Sequence, residues 1–198
     1  MKLNVPYYSQ FLDVNDNPYW MPRACGMTCL KMVLDYHSSI LQNTRMIKTP
    51  SLLEMCEKGK REGGYGPSGW FHDYFVKTAK EYGLNSERGE KIGLPAATCT
   101  AQAGEILGLQ KIHDELKDGC PVIASVSKYT LGQIKFHMVV LTGYEENDGI
   151  EFPERKGQLT GFYFNEPESL SKEQGKDLFV DIKSFKHDWR RMAIFFKP

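Results

Sequence analysis

Cys25 is the residue of this sequence whose position best suits a nucleophile. It follows Pro22-Arg23-Ala24 and precedes Gly26, where a helical spacing of apolar residues over about 24–36 begins. Backbone N–H groups in the first turn of a helix lack intrahelical partners, and the helix dipole favours a negative charge beside them. A cysteine at this position is therefore favoured as a reactive thiolate, and Gly26 leaves room for a substrate backbone. The remaining cysteines are interpreted as buried structural residues: Cys29, Cys56, Cys99 and Cys120.

A thiol nucleophile needs a base, and His137 is the best candidate among the five histidines. It leads the apolar run 138–144, which has the composition of a strand, and a polar side chain buried on a strand normally needs a partner. Taken alone, a histidine in this setting is more often a core residue with satisfied hydrogen bonds. The other histidines lie in polar or helix-end contexts that predict surface positions: His37, His72, His113 and His187.

Two further groups would complete a site for acyl transfer. Asn165 and Glu166 follow a predicted strand, and either side chain has the chemistry to orient an imidazole. Because successive side chains of an extended segment point to opposite faces, only one of the two can reach His137. Gln10 is a candidate oxyanion donor, since the developing negative oxygen needs a polar N–H directed at it.

The order of these residues resembles that of papain-like peptidases: Gln10, then Cys25 opening a helix, then His137 leading a strand, then Asn165-Glu166-Pro167. The local sequence is similar to that of the bacterial bacteriocin-processing, double-glycine-type cysteine peptidases, and most of all to their free-standing relatives. Four segments carry this resemblance, which extends over nearly the whole chain: VPYYSQ (5–10), CGMTCLKMVLDY (25–36), GCPVIASV (119–126) and HMVVLTGY (137–144).

The resemblance implies a papain-like fold and a hydrolase that cleaves a peptide or amide bond of a peptide or protein substrate, without a cofactor. It also implies that Cys25 is the nucleophile, His137 the general base and then acid, and Gln10 part of the oxyanion hole. In this family the third catalytic residue, which orients the histidine, is usually an Asp directly before a Pro. Here that position holds Glu166, whose side chain is one methylene longer. We favour Glu166, although Asn165 can serve as an Asn does in papain-like enzymes.

Two alternatives from other functional classes stay open at this point. The replacement of the family's Asp by Glu166 is compatible with a binding module that keeps the fold and holds a peptide without cleaving it. A related Cys–His acyltransferase, such as a transpeptidase, would use the same residue types.

A glycine-rich segment, residues 63–70, precedes a predicted helix. It lacks the Lys-Ser/Thr ending and the preceding strand of a phosphate-binding loop, so it is interpreted as a turn. We hypothesise that Tyr65 and Trp70 of this segment line the substrate cleft.

Composition excludes several other classes. The 25 acidic and 25 basic residues are interspersed without a basic stripe, which argues against nucleic-acid and anionic-membrane partners. No apolar run reaches the roughly 18 residues of a membrane span, and the N-terminus lacks the apolar core of a signal peptide. We therefore expect a cytosolic location, unless a leader is missing from this sequence.

The odd number of cysteines predicts reduced thiols, and no Cys or His pair has the spacing of zinc ligands. The oligomeric state is not predictable.

The pattern of elements predicts an α+β fold in a single domain, residues 1–198, with a mostly helical lobe over 1–118 and a mostly β lobe over 119–198. The predicted helices are 24–36, one announced by Pro50 and the capping-box pair Ser51 and Glu54, one from about Ser68 to Gly83, and 110–117. The predicted strands are 121–126, 136–144, 161–165 and 192–196, with a short strand and a short helix within 179–189.

Overall fold

The computed structural model describes residues 1–41, 49–90, 101–127, 136–150 and 153–198. Its helices are α1 (Cys25–Leu41), α2 (Leu52–Arg61), α3 (His72–Glu81), α4 (Ala101–Lys117), α5 (Lys172–Gly175) and α6 (Ile182–Asp188), with a 3-10 turn at Pro153–Arg155. Its strands are β1 (Tyr65–Gly66), β2 (Gly69–Trp70), β3 (Asn85–Glu90), β4 (Val122–Ser127), β5 (Phe136–Glu146), β6 (Leu159–Asn165), β7 (Leu178–Asp181) and β8 (Trp189–Lys197).

The six longer strands form one antiparallel sheet in the order β3-β8-β4-β5-β6-β7, and β1 pairs with β2 in a separate hairpin. The helix α1 packs mainly on β5, next to the middle of the sheet. Helices thus come first in the chain and an antiparallel sheet follows, so the predicted α+β fold class is confirmed.

The core lies on both faces of the central strands. Val122 and Ile123 on β4 point to opposite faces of the sheet, yet both are fully buried. Burying an aliphatic side chain of this size stabilises the fold by roughly 1.5–3 kcal/mol. On α1, Leu30 and Leu34 are fully buried at a spacing of four residues, which brings them onto one face of the helix. The central strands are therefore fixed by packing on both faces, and this packing also fixes the backbone positions of the residues at their ends.

The predicted capping box is present at the start of α2. The Ser51 hydroxyl accepts a hydrogen bond from the Glu54 N–H, and the Glu54 carboxylate accepts one from the Ser51 N–H. This arrangement satisfies two donors that would otherwise lack partners at the helix end.

The predicted start of the third helix is wrong. The helix begins at His72 rather than near Ser68, and Trp70 lies on β2 of the short hairpin. Gly69 has φ of +99°, a conformation that a right-handed helix cannot include. The aromatic residues interpreted as one helical face therefore divide between the hairpin and α3.

One strand of the sheet was not predicted. Residues 85–90 (NSERGE) have no apolar alternation, yet they pair with β8 along their whole length, from Asn85 opposite Lys197 to Glu90 opposite Met192. An edge strand needs only one partner, so pairing with β8 imposes little on its composition. The N-terminus also joins the sheet, because the Leu3 N–H donates to the Thr142 carbonyl at 2.7 Å.

Candidate active site

Cys25 is the first residue of α1, and its side chain lines a cavity of about 600 Å³ between the helices and the sheet. It is partly exposed and forms no disulfide with the other cysteines of the described ranges. The space beside Gly26 is used by the protein itself, since a Cβ there would lie 2.6 Å from the Phe75 ring and 3.1 Å from the Met138 sulfur. A glycine after the cysteine therefore allows α1 to approach α3 and β5, which holds the thiol beside the sheet.

His137 lies at the start of β5 and is 1% exposed. Its Nε2 is 2.5 Å from Oε1 of Glu166. Its Nδ1 is buried and has no hydrogen-bond partner within the described ranges. His137 and Cys25 line the same cavity, and because Nε2 is engaged, Nδ1 is the nitrogen left for the thiol. The ring thus has one nitrogen fixed and one available.

The pKa of His137 results from opposing effects. Burial alone would lower it, because a charged ring is poorly solvated there. The nearby Cys25 thiol, followed by the Glu166 carboxylate bonded to Nε2, favours the charged ring, and together they outweigh burial and raise the pKa. The imidazole at this position is therefore more basic than a free histidine.

Asn165 and Glu166 point in opposite directions. Glu166 accepts from the backbone N–H of Glu168 through the same Oε1 that contacts His137. Asn165 turns to the other side, where its Oδ1 accepts from the Asp177 N–H at 3.0 Å. Of the two candidates for the third position, only Glu166 touches the imidazole.

Gln10 is fully buried next to this segment. Its Nε2 donates to the Met21 carbonyl at 2.7 Å and lies 3.3 Å from Oε1 of Glu168. Both neighbours are acceptors, which match the two N–H donors of the amide, and Gln10 Oε1 lacks a partner among the described residues. Gln10 thus joins the segment before α1 to the segment after β6, and its donors are already engaged.

Tyr65 and Trp70 both line the cavity, on the side opposite the sheet. The indole N–H of Trp70 donates to the Arg23 carbonyl at 2.7 Å, two residues before Cys25. Its ring stacks on Trp20 with a centroid separation of 5.5 Å, and Tyr65 packs edge-on against it. The hairpin therefore forms a rigid aromatic wall beside the thiol.

The sheet side of the cavity contains residues that the sequence did not single out. They include Ser125 on β4, Phe136 on β5 and Arg190 on β8. Phe136 begins one predicted strand and Arg190 precedes another, but nothing in their spacing indicates that the sheet brings them together.

The remaining cysteines and histidines have the following positions. Three of the cysteines predicted to be structural are buried, as expected, namely Cys29, Cys56 and Cys120. The fourth, Cys99, lies outside the described residues.

The predicted surface positions of His37 and His113 are wrong, since the two residues are only 3% and 9% exposed. His37 packs against Tyr36, and burial lowers its pKa to about 4, so it stays neutral without a charged partner. In the described part of the chain, no cluster of His, Cys, Asp and Glu could hold a metal ion.

The family model described as Peptidase_C39 like family matches residues 2–194, which is nearly the whole chain. The chain belongs to this family. No curated protein matches it.

Solved structures of C39 peptidases share the fold. A putative C39-like peptidase from Bacillus anthracis superimposes with a TM-score of 0.60 at 17% identity, covering 100% of this chain and 98% of the other. A double glycine motif protease from an AMS/PCAT transporter, in complex with the leader peptide, gives 0.55 at 18%, covering 100% and 94%. The peptidase domain of Streptococcus ComA gives 0.51 at 17%, covering 89% and 93%. Within the described ranges, no helix of this C39-like chain is long and apolar enough to span a bilayer.

Proposed function

We propose that this C39-like protein is a cysteine peptidase that hydrolyses a peptide or amide bond through an acyl-enzyme on Cys25. The observation that carries the proposal is that His137, which lines the same cavity as Cys25, forms a buried pair with Glu166 through Nε2 and has its second imidazole nitrogen left for the thiol. Glu166 occupies the place of the family's Asp and reaches the ring despite its extra methylene. This contact favours a working peptidase over a module that only binds.

The proposed reaction begins with transfer of the thiol proton from Cys25 to Nδ1 of His137. The thiolate attacks the carbonyl carbon, and backbone N–H groups in the first turn of α1 stabilise the oxyanion. His137 then donates its proton to the leaving amine, and a thioester on Cys25 remains. A water molecule, deprotonated by His137, hydrolyses the thioester and restores the thiol. Glu166 holds the ring in place through Nε2 and stabilises the imidazolium that forms in each half of the cycle.

Selective alkylation tests whether Cys25 is the nucleophile. Iodoacetamide at neutral pH is expected to label Cys25 much faster than Cys56, whose pKa burial raises to a value at which the thiolate is scarce. Peptide mapping by mass spectrometry measures both rates in the folded protein. Cleavage of a casein or peptide-mixture substrate should disappear in Cys25→Ala. Equal labelling of the two cysteines would exclude Cys25 as an activated thiol, whereas selective labelling without any cleavage would favour a binding module.

The role of Gln10 as an oxyanion donor stays a proposal. If Gln10 turns its N–H from Met21 to the substrate oxygen, Gln10→Ala should lower kcat by about 10²-fold with little change in KM. Steady-state kinetics with a peptide substrate check this. A variant that melts at lower temperature but keeps its kcat would instead assign Gln10 to bridging the two segments that it now joins.

Trp70 is proposed to shape the substrate preference through the aromatic wall. In Trp70→Ala the wall loses its largest ring, so the ranking of peptides by kcat/KM should change, with losses of about tenfold for peptides with large apolar residues. Trp70→Phe, which keeps a ring but removes the N–H bonded to Arg23, is the control and should keep the ranking. An unchanged ranking in Trp70→Ala would contradict the proposed role.

A further inference from the structure

A bulge in β8 directs an arginine into the active-site cavity. Ser125 on β4 pairs with Met192, whereas the next residue, Val126, pairs with Trp189, so Arg190 and Arg191 are extra residues on β8. Arg191 has φ of +57°, which is uncommon for a residue with a side chain. Bulges of this kind bend a strand and redirect its side chains, and they are frequent beside active sites. The indole N–H of Trp189 donates to the Met192 carbonyl at 3.1 Å and closes the bulge.

The redirected side chain, Arg190, is held in a defined orientation. Its guanidinium carbon lies 3.4 Å from the centroid of the Phe136 ring, and its Nη1 donates to the Ser125 hydroxyl at 3.1 Å. Phe136 directly precedes His137 on β5. A guanidinium has five N–H donors in one plane, and stacking on a ring fixes that plane. Arg190 therefore presents a fixed edge of donors at the wall that also carries the catalytic histidine.

The other arginines of the cavity are already engaged. Arg88 on β3 pairs with Asp73 at 3.0 Å. Arg23 donates to the Tyr19 carbonyl at 2.8 Å and lies over the Tyr19 ring. Arg190 makes no ion pair with a carboxylate of the described residues, and the sequence between Ser127 and Phe136 contains no Asp or Glu. The cavity thus carries an excess positive charge. Arg23 and Arg190 both lack a carboxylate partner among the described residues, and Arg190 is the one stacked on Phe136, directly beside His137.

We propose that Arg190 determines specificity by binding a carboxylate of the substrate close to the bond that is cleaved. This proposal rests on the proposed peptidase function and extends it to a substrate class, namely peptides with an acidic group that faces the sheet side of the cavity. A carboxylate matches the planar donor edge of a guanidinium through two parallel hydrogen bonds, which a neutral amide cannot do. The opposite wall, formed by Tyr65 and Trp70, contributes apolar contact to the same substrate.

The carboxylate can belong to an Asp or Glu side chain or to the C-terminus of a peptide. Both sources present the same group to Arg190. Short peptides with a C-terminal amide, carrying either Glu or Gln at each successive position, test the side-chain source. A Gln peptide with a free C-terminal acid tests the terminal source.

Binding is measured first in Cys25→Ala, which cannot turn over the peptides, by fluorescence anisotropy. At least one of the acidic peptides should bind about 10–100-fold more tightly than the matching neutral peptide, as expected for a hydrogen-bonded charged pair. Adding Arg190→Met should abolish this preference, and adding Arg190→Lys should leave an intermediate one because the planar fork is lost. Arg155→Met is the matched control. Arg155 lies on the 3-10 turn, and its substitution removes the same charge, so this variant should keep the full preference for acidic peptides. Arg190 is exposed, so melting temperatures should agree among these variants.

The results separate the two proposals. A preference that depends on Arg190 supports this inference even if the wild-type chain cleaves none of the peptides, in which case the peptidase proposal fails. Cleavage of acidic and neutral peptides at equal rates overturns the role of Arg190 and leaves the peptidase proposal standing. A preference that persists in Arg190→Met, or the absence of binding by every acidic peptide, also overturns it.

Discussion

Replacing His137 by glutamine is expected to lower kcat/KM by about 10⁴-fold or more, because an amide cannot accept the thiol proton that we propose His137 takes. Glutamine is the informative substitution since its amide N–H can still donate to the buried Glu166 carboxylate. An alanine there would remove the imidazole from this buried pair, leave the Glu168 N–H as the carboxylate's remaining partner among the described residues, and cost about 3–5 kcal/mol of stability. Steady-state kinetics on a peptide substrate measure the loss, and circular dichroism checks the fold.

His113→Gln is the matched control for this experiment. His113 on α4 is also nearly buried, and its Nε2 lies 3.0 Å from a glutamate, Glu146, but it does not line the active-site cavity. Its substitution should leave kcat/KM within about twofold of the wild-type value, as expected for a site distant from the chemistry. If the His137 variant kept a tenth or more of the activity, His137 would be excluded as the base.

Replacing Glu166 by glutamine is expected to lower kcat/KM by about 10³-fold, since the imidazolium formed during the reaction loses its neighbouring negative charge. It should also change the pH profile. The Glu166 carboxylate is one of the groups that raise the pKa of His137, so removing its charge lowers that pKa. The step that protonates the leaving amine needs the imidazolium, which is lost as pH rises through this pKa. The alkaline limb of kcat/KM should therefore move to lower pH in Glu166→Gln.

Asn165→Ala separates this electrostatic effect from a general loss of structure. Asn165 is the adjacent residue and is fully buried, but its amide contacts the Asp177 N–H and the Met32 sulfur rather than His137. The variant should lose stability by about 1–3 kcal/mol, because the Asp177 N–H loses its acceptor, while the alkaline limb stays in place. A limb that moved equally in both variants would show that Glu166 does not set the pKa of His137.

Local sequence signals were sufficient to predict where the helix that carries the candidate nucleophile begins. Cys25 opens α1 as expected because the apolar spacing of the helix begins immediately after it. The capping pair Ser51 and Glu54 likewise marks the start of α2, since both partners lie within one turn. Features that depend on a few neighbouring residues could therefore be predicted from the sequence.

Contacts between distant strands could not be predicted in the same way. The alternation of side chains indicated that only Asn165 or Glu166 could reach His137, but which of them does so depends on the register between β5 and β6. The bulge that redirects Arg190 exists only because β8 pairs with β4, and the sequence carries no marker for it. The strand β3 was missed for a related reason, since its partner lies a hundred residues away in the chain.

The position of β8 has a consequence for synthesis of the protein. This strand lies between β3 and β4, although it comes after both of them in the chain. Until it leaves the ribosome, β3 has no partner and β4 has an open edge, and such non-local pairing slows folding. The wall that carries Arg190 is also absent until then. In a nascent chain Cys25 is thus present long before the cleft is closed, and we expect the selectivity proposed for Arg190 to arise only after β8 has folded into the sheet.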